Sequence, residues 1–297
     1  MTTLPLEADS VVLEPKKPNR WWRLLMDLPK FPMTILMIVL VVGVFAPILQ
    51  PHSPTDGDLA AALQEPVFTG GNWDHPLGTD EQGRDILSRL IAGARVSILI
   101  GFSVVVGAGT IGVVIALLSG FLGGWVDQVL SRLTDVLLSM PFLLVAIAVV
   151  GAVGPSVRNL MLILIFMGWA AYARVLRGEV LRIRNSDFVR LARINGASPI
   201  RLMVLHILPN IMNTLIVLAT LQLGTTILTE ATLSFLGLGV PPPNPSWGGM
   251  LSDGRPYLTT NSWLALIPGI TIMLTVLAVN LLGDWLRVRL DPRFRQL

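Results

Sequence analysis

Side chains able to do covalent or metal chemistry are few in this chain and far apart along it. The three histidines, His52, His75 and His206, and the lack of any cysteine leave no ligand run at the spacing of a familiar metal site. The only lysines, Lys16, Lys17 and Lys30, lie near the N-terminal end, so no glycine-rich loop ends in the lysine that holds nucleotide phosphates. No local serine, histidine and carboxylate arrangement marks a nucleophile. The chain therefore reads as a non-enzyme, with no catalytic, cofactor-binding or metal residues of its own. Its dense feature is a series of arginines, Arg174, Arg177, Arg182, Arg184, Arg190, Arg193 and Arg201, whose chemistry is electrostatic.

At the centre of a bilayer these seven arginines would cost about 3 kcal/mol each, on the order of 20 kcal/mol together, so residues 174–210 must lie in water. The stretch is nonetheless patterned. Ser186 is placed to cap a helix whose first turn holds Asp187 and whose Phe188, Leu191 and Ala192 share one face. Asn195 and Gly196 end it, glycine being suited to the left-handed position, and Ser198 with Pro199 opens a second helix as cap and first-turn pair. Pro209 marks the return to apolar sequence. Two readings are open for this helix, turn and helix. It can rest as an amphipathic loop on lipid headgroups, or it can dock, its apolar face filling a groove on a soluble partner while the arginines steer the approach.

The elements that position this segment follow from composition. Of 297 residues 53% are hydrophobic and 14% charged, and the mean hydropathy is +0.68, more apolar surface than a water-soluble fold can dress. The apolar residues fall in runs at 33–49, 96–118, 136–153, 160–176, 211–240 and 263–282. A run of about 20 residues rising 1.5 Å each crosses the roughly 30 Å hydrocarbon core, so an all-α polytopic membrane protein with six transmembrane helices is predicted. The basic region before the first run is long and no small-residue cleavage site follows, which favours a retained span over a signal peptide.

Basic residues set the orientation, because positively charged segments stay on the cytoplasmic side. With both termini inside, the inner segments receive Lys16, Lys17, Arg20, Arg23 and Lys30, then Arg132, the arginine series, and finally Arg287, Arg289, Arg293 and Arg295. The outer segments keep Arg84, Arg89, Arg95, Arg158 and Arg255, and the first of them carries Asp56, Asp58, Glu65, Asp74, Asp80, Glu81 and Asp85. Topology thus accounts for the net charge of +3 and the pI of about 9.8, and no nucleic-acid partner is implied.

A few residues in and beside the spans carry further expectations. Glu230 and Ser234, near the outer end of the fifth span, are candidates to line a solute path, since ionisable groups in membranes tend to face cavities. The alternative for Glu230 is a backbone donor or interfacial water. Asp135 is one turn from Arg132, spaced for an i, i+3 ion pair. Gly101, Gly107, Gly109, Gly112, Gly120, Gly123 and Gly124 make the second span and its exit a surface for close helix contact. Pro241, Pro242, Pro243 and Pro245 stop the fifth span in a stiff turn that sets Trp247 at the membrane edge, as an interface anchor or as a contact with an external protein.

Residues 188–210, FVRLARINGASPIRLMVLHILPN, resemble the cytoplasmic loop of binding-protein-dependent ABC importer permeases, whose pattern is Glu-Ala-Ala, then Gly, then Ile-x-Leu-Pro. The match is at Ala192, Gly196, Leu208 and Pro209; Arg190, Leu191 and His206 stand where the pattern has Glu, Ala and Ile. Residues 75–97, HPLGTDEQGRDILSRLIAGARVS, and 230–258, EATLSFLGLGVPPPNPSWGGMLSDGRPYL, are similar to segments of the dipeptide and oligopeptide permeases of the second subunit type.

That resemblance implies a type I ABC importer transmembrane domain with a cytoplasmic coupling helix, forming half of a pathway for di- or oligopeptides or related solutes. The residues it assigns to ATPase coupling are Arg190, Leu191, Ala192, Gly196, Ala197, Ser198, Pro199, Leu208 and Pro209. It also implies a homologous second permease subunit, two cytoplasmic subunits that bind ATP and magnesium, an extracytoplasmic solute-binding protein, and residence in a bacterial inner membrane. The chain then divides into a cytoplasmic tail (1–32), a first span (33–49), an outer segment (50–95), a permease core (96–284) and a C-terminal tail (285–297), the core holding a coupling loop at 177–210 and an outer loop at 241–262. An ion-driven secondary transporter, the rival class, would be expected to show inverted repeats around paired intramembrane charges, and neither is legible.

Overall fold

Apolar runs bounded by glycine, proline and capping residues fold into helices throughout the computed structural model, which describes residues 29–290. The tail residues Lys16, Lys17, Arg20, Arg23, Arg293 and Arg295 lie outside the described residues. The first run forms α1 (Lys30–Val44), and after Phe45 a short α2 (Ala46–Leu49) continues it. Residues 50–85 then form an irregular segment with two single 3-10 turns, Leu59–Ala61 and Val67–Thr69. This segment corrects one expectation: His52 and His75, remote in sequence, bring their rings to 4.7 Å between centroids.

Helix α3 (Ile86–Leu122) has 37 residues, about 55 Å, and begins ten residues before the apolar run at 96. Its start is set by Asp85, whose carboxylate accepts the Ser88 N–H at 2.8 Å and satisfies one of the orphan donors of the first turn. The run at 136–153 is not one helix. Helices α4 (Gly124–Ser139) and α5 (Phe142–Val153) meet at 86°. Pro141 has no N–H and disfavours the helical region for the residue before it, and Met140 is extended at φ −76°, ψ 132°.

Helix α6 (Val157–Arg184) starts at Ser156, whose hydroxyl accepts the Asn159 N–H at 3.0 Å. Then come α7 (Asp187–Ile194), α8 (Pro199–Arg201), a π-helical stretch (Leu202–Ile207), α9 (Leu208–Phe235), α10 (Trp247–Gly254) and α11 (Trp263–Leu290). Among the described residues, four helical stretches, α3, α6, Pro199–Phe235 and α11, are long and apolar enough to cross a membrane; the α4–α5 pair, bent by 86°, reaches that length and hydropathy only when the two helices are taken together, and α1 is a shorter apolar helix.

The central seam is α3 on α6, and it is made of small residues. A Cβ on Gly112 would stand 2.9 Å from the Trp169 carbonyl, and one on Gly120 would stand 2.6 Å from Val180 Cγ1. In lipid no hydrophobic force draws helices together, so this close approach supplies the dispersion contacts that do. Helix α9 packs on α3 and α11. Glu230, 1% exposed, accepts hydrogen bonds from Ser97 on α3 at 3.3 Å and from Ser234 at 2.7 Å, so its partners are hydroxyls rather than backbone donors or interfacial water.

Two other expectations are corrected. Trp247 is no interface anchor: it is 1% exposed, its Nε1–H donates to the Leu90 carbonyl at 3.0 Å, and Gly93 leaves room for the indole. An indole buried in protein needs an acceptor, and the α3 backbone supplies it. Asp135 takes its hydrogen bond from Arg174 on α6 instead of pairing with Arg132, because α4 lies along α6 and presents its acids to that helix.

Two outcomes follow from this packing. Gly112→Leu forces a side chain into backbone that cannot yield and is expected to destabilise the chain by about 1–3 kcal/mol or more, read as a lower thermal midpoint in detergent, whereas Gly151→Ala, in α5 where a Cβ meets nothing within 4 Å, does not lower the midpoint. Glu230→Ala strands two buried hydroxyls and is expected to cost about 1–3 kcal/mol by the same measurement, while Glu230→Gln, which can still accept from one serine and donate to the other, costs less.

Candidate functional site

The patterned segment after α6 folds as a helix, a tight turn and a second helix. Ser186 stands at the N-cap of α7, but its hydroxyl donates to the Ile183 carbonyl at 2.6 Å instead of accepting from the first turn, a correction to its predicted capping bond. The C-terminal end is a Schellman closure: Ala197 N–H donates to the Ala192 carbonyl at 3.1 Å and Gly196 N–H to Arg193 at 3.0 Å. Gly196 has φ +81°, and a Cβ there would meet no atom within 4 Å, so its backbone conformation alone selects glycine. Ser198 Oγ accepts the Arg201 N–H at 3.3 Å and Pro199 occupies the first turn of α8, as the sequence predicts.

The apolar face divides in two. Val189, Leu202 and Ile207 are buried in the core, with Ala192, Ala197 and Leu208 packed against them, and the Arg193 guanidinium lies 5.6 Å from the Phe121 ring centroid. The other side stays open: Phe188 is 45% exposed, Leu191 60%, Ile194 80% and Ile200 70%. Arg190 and Arg201 are exposed beside them. The remaining arginines do different work. Arg177 makes a bidentate pair with Asp127 on α4, both bonds 2.6 Å, Arg184 Nη1 donates to the Gly120 carbonyl at 3.3 Å, and Arg182 pairs with Glu179 at 2.6 Å. The segment thus offers an apolar patch with guanidinium groups at its edge, suited to association.

From Pro199 to Phe235 the chain is helical without a break. Pro209 has no N–H to give the Leu205 carbonyl and its ring crowds that oxygen; the preceding residues widen to a π-helix, and Asn210 Nδ2 donates to the His206 carbonyl at 2.6 Å. Farther along, α9 borders a cavity of about 230 Å³ shared with α3, α4, α5 and α6, lined among others by Val104, Met167, Tyr172, Gln222, Thr225 and Thr229. The Tyr172 hydroxyl is buried there with no hydrogen-bond partner. Sequence reasoning missed these residues, although Gln222, Thr225 and Thr229 at three- and four-residue spacing form a polar stripe in an apolar run. Glu230 does not border this cavity; Ser234 borders a second one of about 160 Å³, under the proline-rich loop.

At that end the irregular segment is clasped to α10. Asp80 accepts from Arg84 Nε at 2.7 Å and lies 3.4 Å from Arg89 Nη1, and Arg89 Nη2 donates to Asp253 at 3.1 Å. Burial pushes the Asp253 carboxyl above its ordinary range despite Arg89 and Arg84. Burial, reinforced by Asp253 and Asp80, does the same to Glu81.

A family model described as binding-protein-dependent transport system inner membrane component matches residues 112–296, from the middle of α3 through the bent pair, α6, the helix, turn and helix after it, α9, α10 and α11. The chain is 42% identical over 261 residues to the di/tripeptide transport system permease protein of Pseudomonas aeruginosa, covering 88% of this chain and 86% of that one. It is 43% identical over 262 residues to the dipeptide transport system permease protein of Escherichia coli strain K12, covering 88% and 87%, and 38% identical over 262 residues to the oligopeptide transport system permease protein of Bacillus subtilis, covering 88% and 84%. With a matched region that contains the helix, turn and helix after α6, the long helix that follows and most of the residues lining the cavity that helix borders, the chain belongs to the family of binding-protein-dependent transport system inner membrane components.

Proposed function

We propose that this chain is the membrane subunit of an ATP-driven importer and forms half of a translocation path for di- or oligopeptides in a bacterial inner membrane, with both termini in the cytoplasm. The peptide assignment rests on the relatives, which are permeases of di/tripeptide, dipeptide and oligopeptide transport systems, and the orientation on the excess of arginine in the segments that would face inward. The exposed face of Phe188, Leu191, Ile194 and Ile200 receives a cytoplasmic ATP-binding subunit, which holds the ATP and magnesium; Arg190 and Arg201 steer the contact. A homologous second permease closes the other half of the path, and an extracytoplasmic binding protein delivers the solute.

The observation that carries this reading is mechanical continuity. A load applied at Ile200 acts on one end of a helix whose other half presents Gln222, Thr225 and Thr229 to the cavity. The permease has inward-facing and outward-facing states, and the ATP-binding subunits shift the balance by binding one better. A swing from 1:99 to 99:1 takes about 5.5 kcal/mol of differential binding. The Gly196 turn keeps α7 and α8 in fixed relation, so that one docking face moves as a unit. Leu208 and Pro209 sit at the junction of the π-helical stretch and α9, where the docking segment joins the span.

In the reconstituted complex, Leu191→Asp with Ile194→Asp is expected to weaken binding of the ATP-binding subunits at least about tenfold, measured by co-purification and titration. Gly196→Val forces a branched residue to φ +81° at a cost of about 1–3 kcal/mol and is expected to lower solute transported per ATP hydrolysed in proteoliposomes. Normal coupling in both variants, or uptake driven by an ion gradient without ATP, contradicts the proposal.

A further inference from the structure

The segment between α2 and α3 gathers a group of side chains that the transport reading does not use. Asn72 Oδ1 accepts the N–H groups of Asp74 at 3.0 Å and His75 at 3.2 Å, and this turn brings both residues back toward His52. The Nε2 atoms of the two histidines face one carboxylate: His52 Nε2 is 3.7 Å from Asp74 Oδ1 and His75 Nε2 is 3.9 Å from Asp74 Oδ2. Taking one ligand atom from each of the three residues, all lie within 4.8 Å of one another.

The opposite ring edges face a second carboxylate. Asp85 Oδ1 lies 3.1 Å from His75 Nδ1, and Asp85 Oδ2 lies 4.0 Å from His52 Nδ1. Asp85 is buried, and its Oδ2 also takes the N–H and O–H of Ser88 at 2.8 and 2.7 Å, which fixes the direction of the carboxylate. The His52 N–H in turn donates to Ser88 Oγ at 3.0 Å. Asp74 is its counterpart, with a side chain 74% exposed and room to move.

We infer that His52, His75 and Asp74 form a binding site for a first-row divalent transition cation of the zinc type, with Asp85 as the carboxylate that orients the His75 imidazole. Two imidazoles and one carboxylate suit zinc, nickel or copper and are a poor set for magnesium or calcium, which take oxygen ligands. A His75 Nδ1–H given to Asp85 leaves the Nε2 lone pair directed at Asp74, the arrangement in which an outer carboxylate fixes the tautomer of a metal-binding histidine. Tetrahedral zinc at about 2.0–2.1 Å from each ligand needs ligand atoms about 3.4 Å apart. A contraction of at most about 1.4 Å, to which the exposed Asp74 can contribute, closes the triad, and water completes the fourth position.

Hydrogen bonding alone does not account for the cluster. The Asp74 oxygens are too far from both Nε2 atoms for a hydrogen bond, and His52 Nδ1 is buried without any hydrogen-bond partner. Bound metal would tie the end of the first span to the 72–75 turn and, through Asp85, to the cap of α3.

The test uses the full chain in detergent, purified with an affinity tag that contains no histidine, stripped with a chelator and titrated with zinc against a chromophoric competitor. One equivalent per chain is expected to bind with micromolar or tighter affinity and to raise the thermal midpoint. Asp74→Asn, at an exposed position, is expected to keep the metal-free midpoint and weaken binding at least about tenfold. The double variant His52→Gln, His75→Gln is expected to abolish the stoichiometric site, and His206→Gln to retain it. No stoichiometric zinc, zinc binding unchanged in both the Asp74 and the double histidine variants, or loss of binding in His206→Gln would overturn the inference.

Discussion

The approach of α3 to α6 is the contact on which the other elements depend. A bilayer gives apolar side chains no reason to leave lipid for protein, so helices that associate there do so by fitting closely enough to gain dispersion contacts. Gly107, Gly112 and Gly120 give α3 a surface without side chains against Ile165, Trp169 and Val180. Once α6 is fixed on that surface, its carboxyl end must emerge where Arg177 and Arg184 reach Asp127 and the Gly120 carbonyl. The exit of α6 in turn fixes where α7 begins.

From that exit the chain makes one turn and returns as a single helix. The turn is closed by two backbone hydrogen bonds and a glycine at positive φ, and its inner face is pinned by Val189, Leu202 and Ile207. A loop of mobile backbone could carry the same exposed side chains, but it would absorb a push instead of passing it on. Here Ile200 of the exposed patch and the cavity-lining stripe lie on one continuous helical stretch, to which the closed turn ties the rest of the patch on α7. The π-helical turns before Pro209 accommodate the missing N–H without breaking that stretch, a solution common where helices carry function.

Polar groups inside the fold are matched to partners that no single helix supplies. Glu230 is held by hydroxyls from α3 and from its own helix, and Arg89 is neutralised by Asp80 and Asp253 from two separate segments. Such groups are costly to bury alone and specify one arrangement of helices when paired, because a shift of register leaves a charge stranded. Residues 50–85, the start of α3 and α10 are thereby held as one unit.

The sequence by itself determined the helical class, the apolar runs, the helix, turn and helix after α6 and the glycine that turns it, because these rest on hydrophobicity, on periodicity and on backbone preferences that act over a few residues. Gly196 and Ser198 with Pro199 are where local chemistry places them, and the glycine-rich second run makes the predicted close contact. What only the tertiary structure decided are the pairings between distant segments. Asp135 meets Arg174 and not its neighbour Arg132, Trp247 turns inward to Leu90, the Met140–Pro141 break becomes a bend of 86°, and His52 comes to lie beside His75. Each depends on which helix faces which, and that is set by the sum of many weak packing contacts across the bundle, to which no short stretch of sequence is a guide.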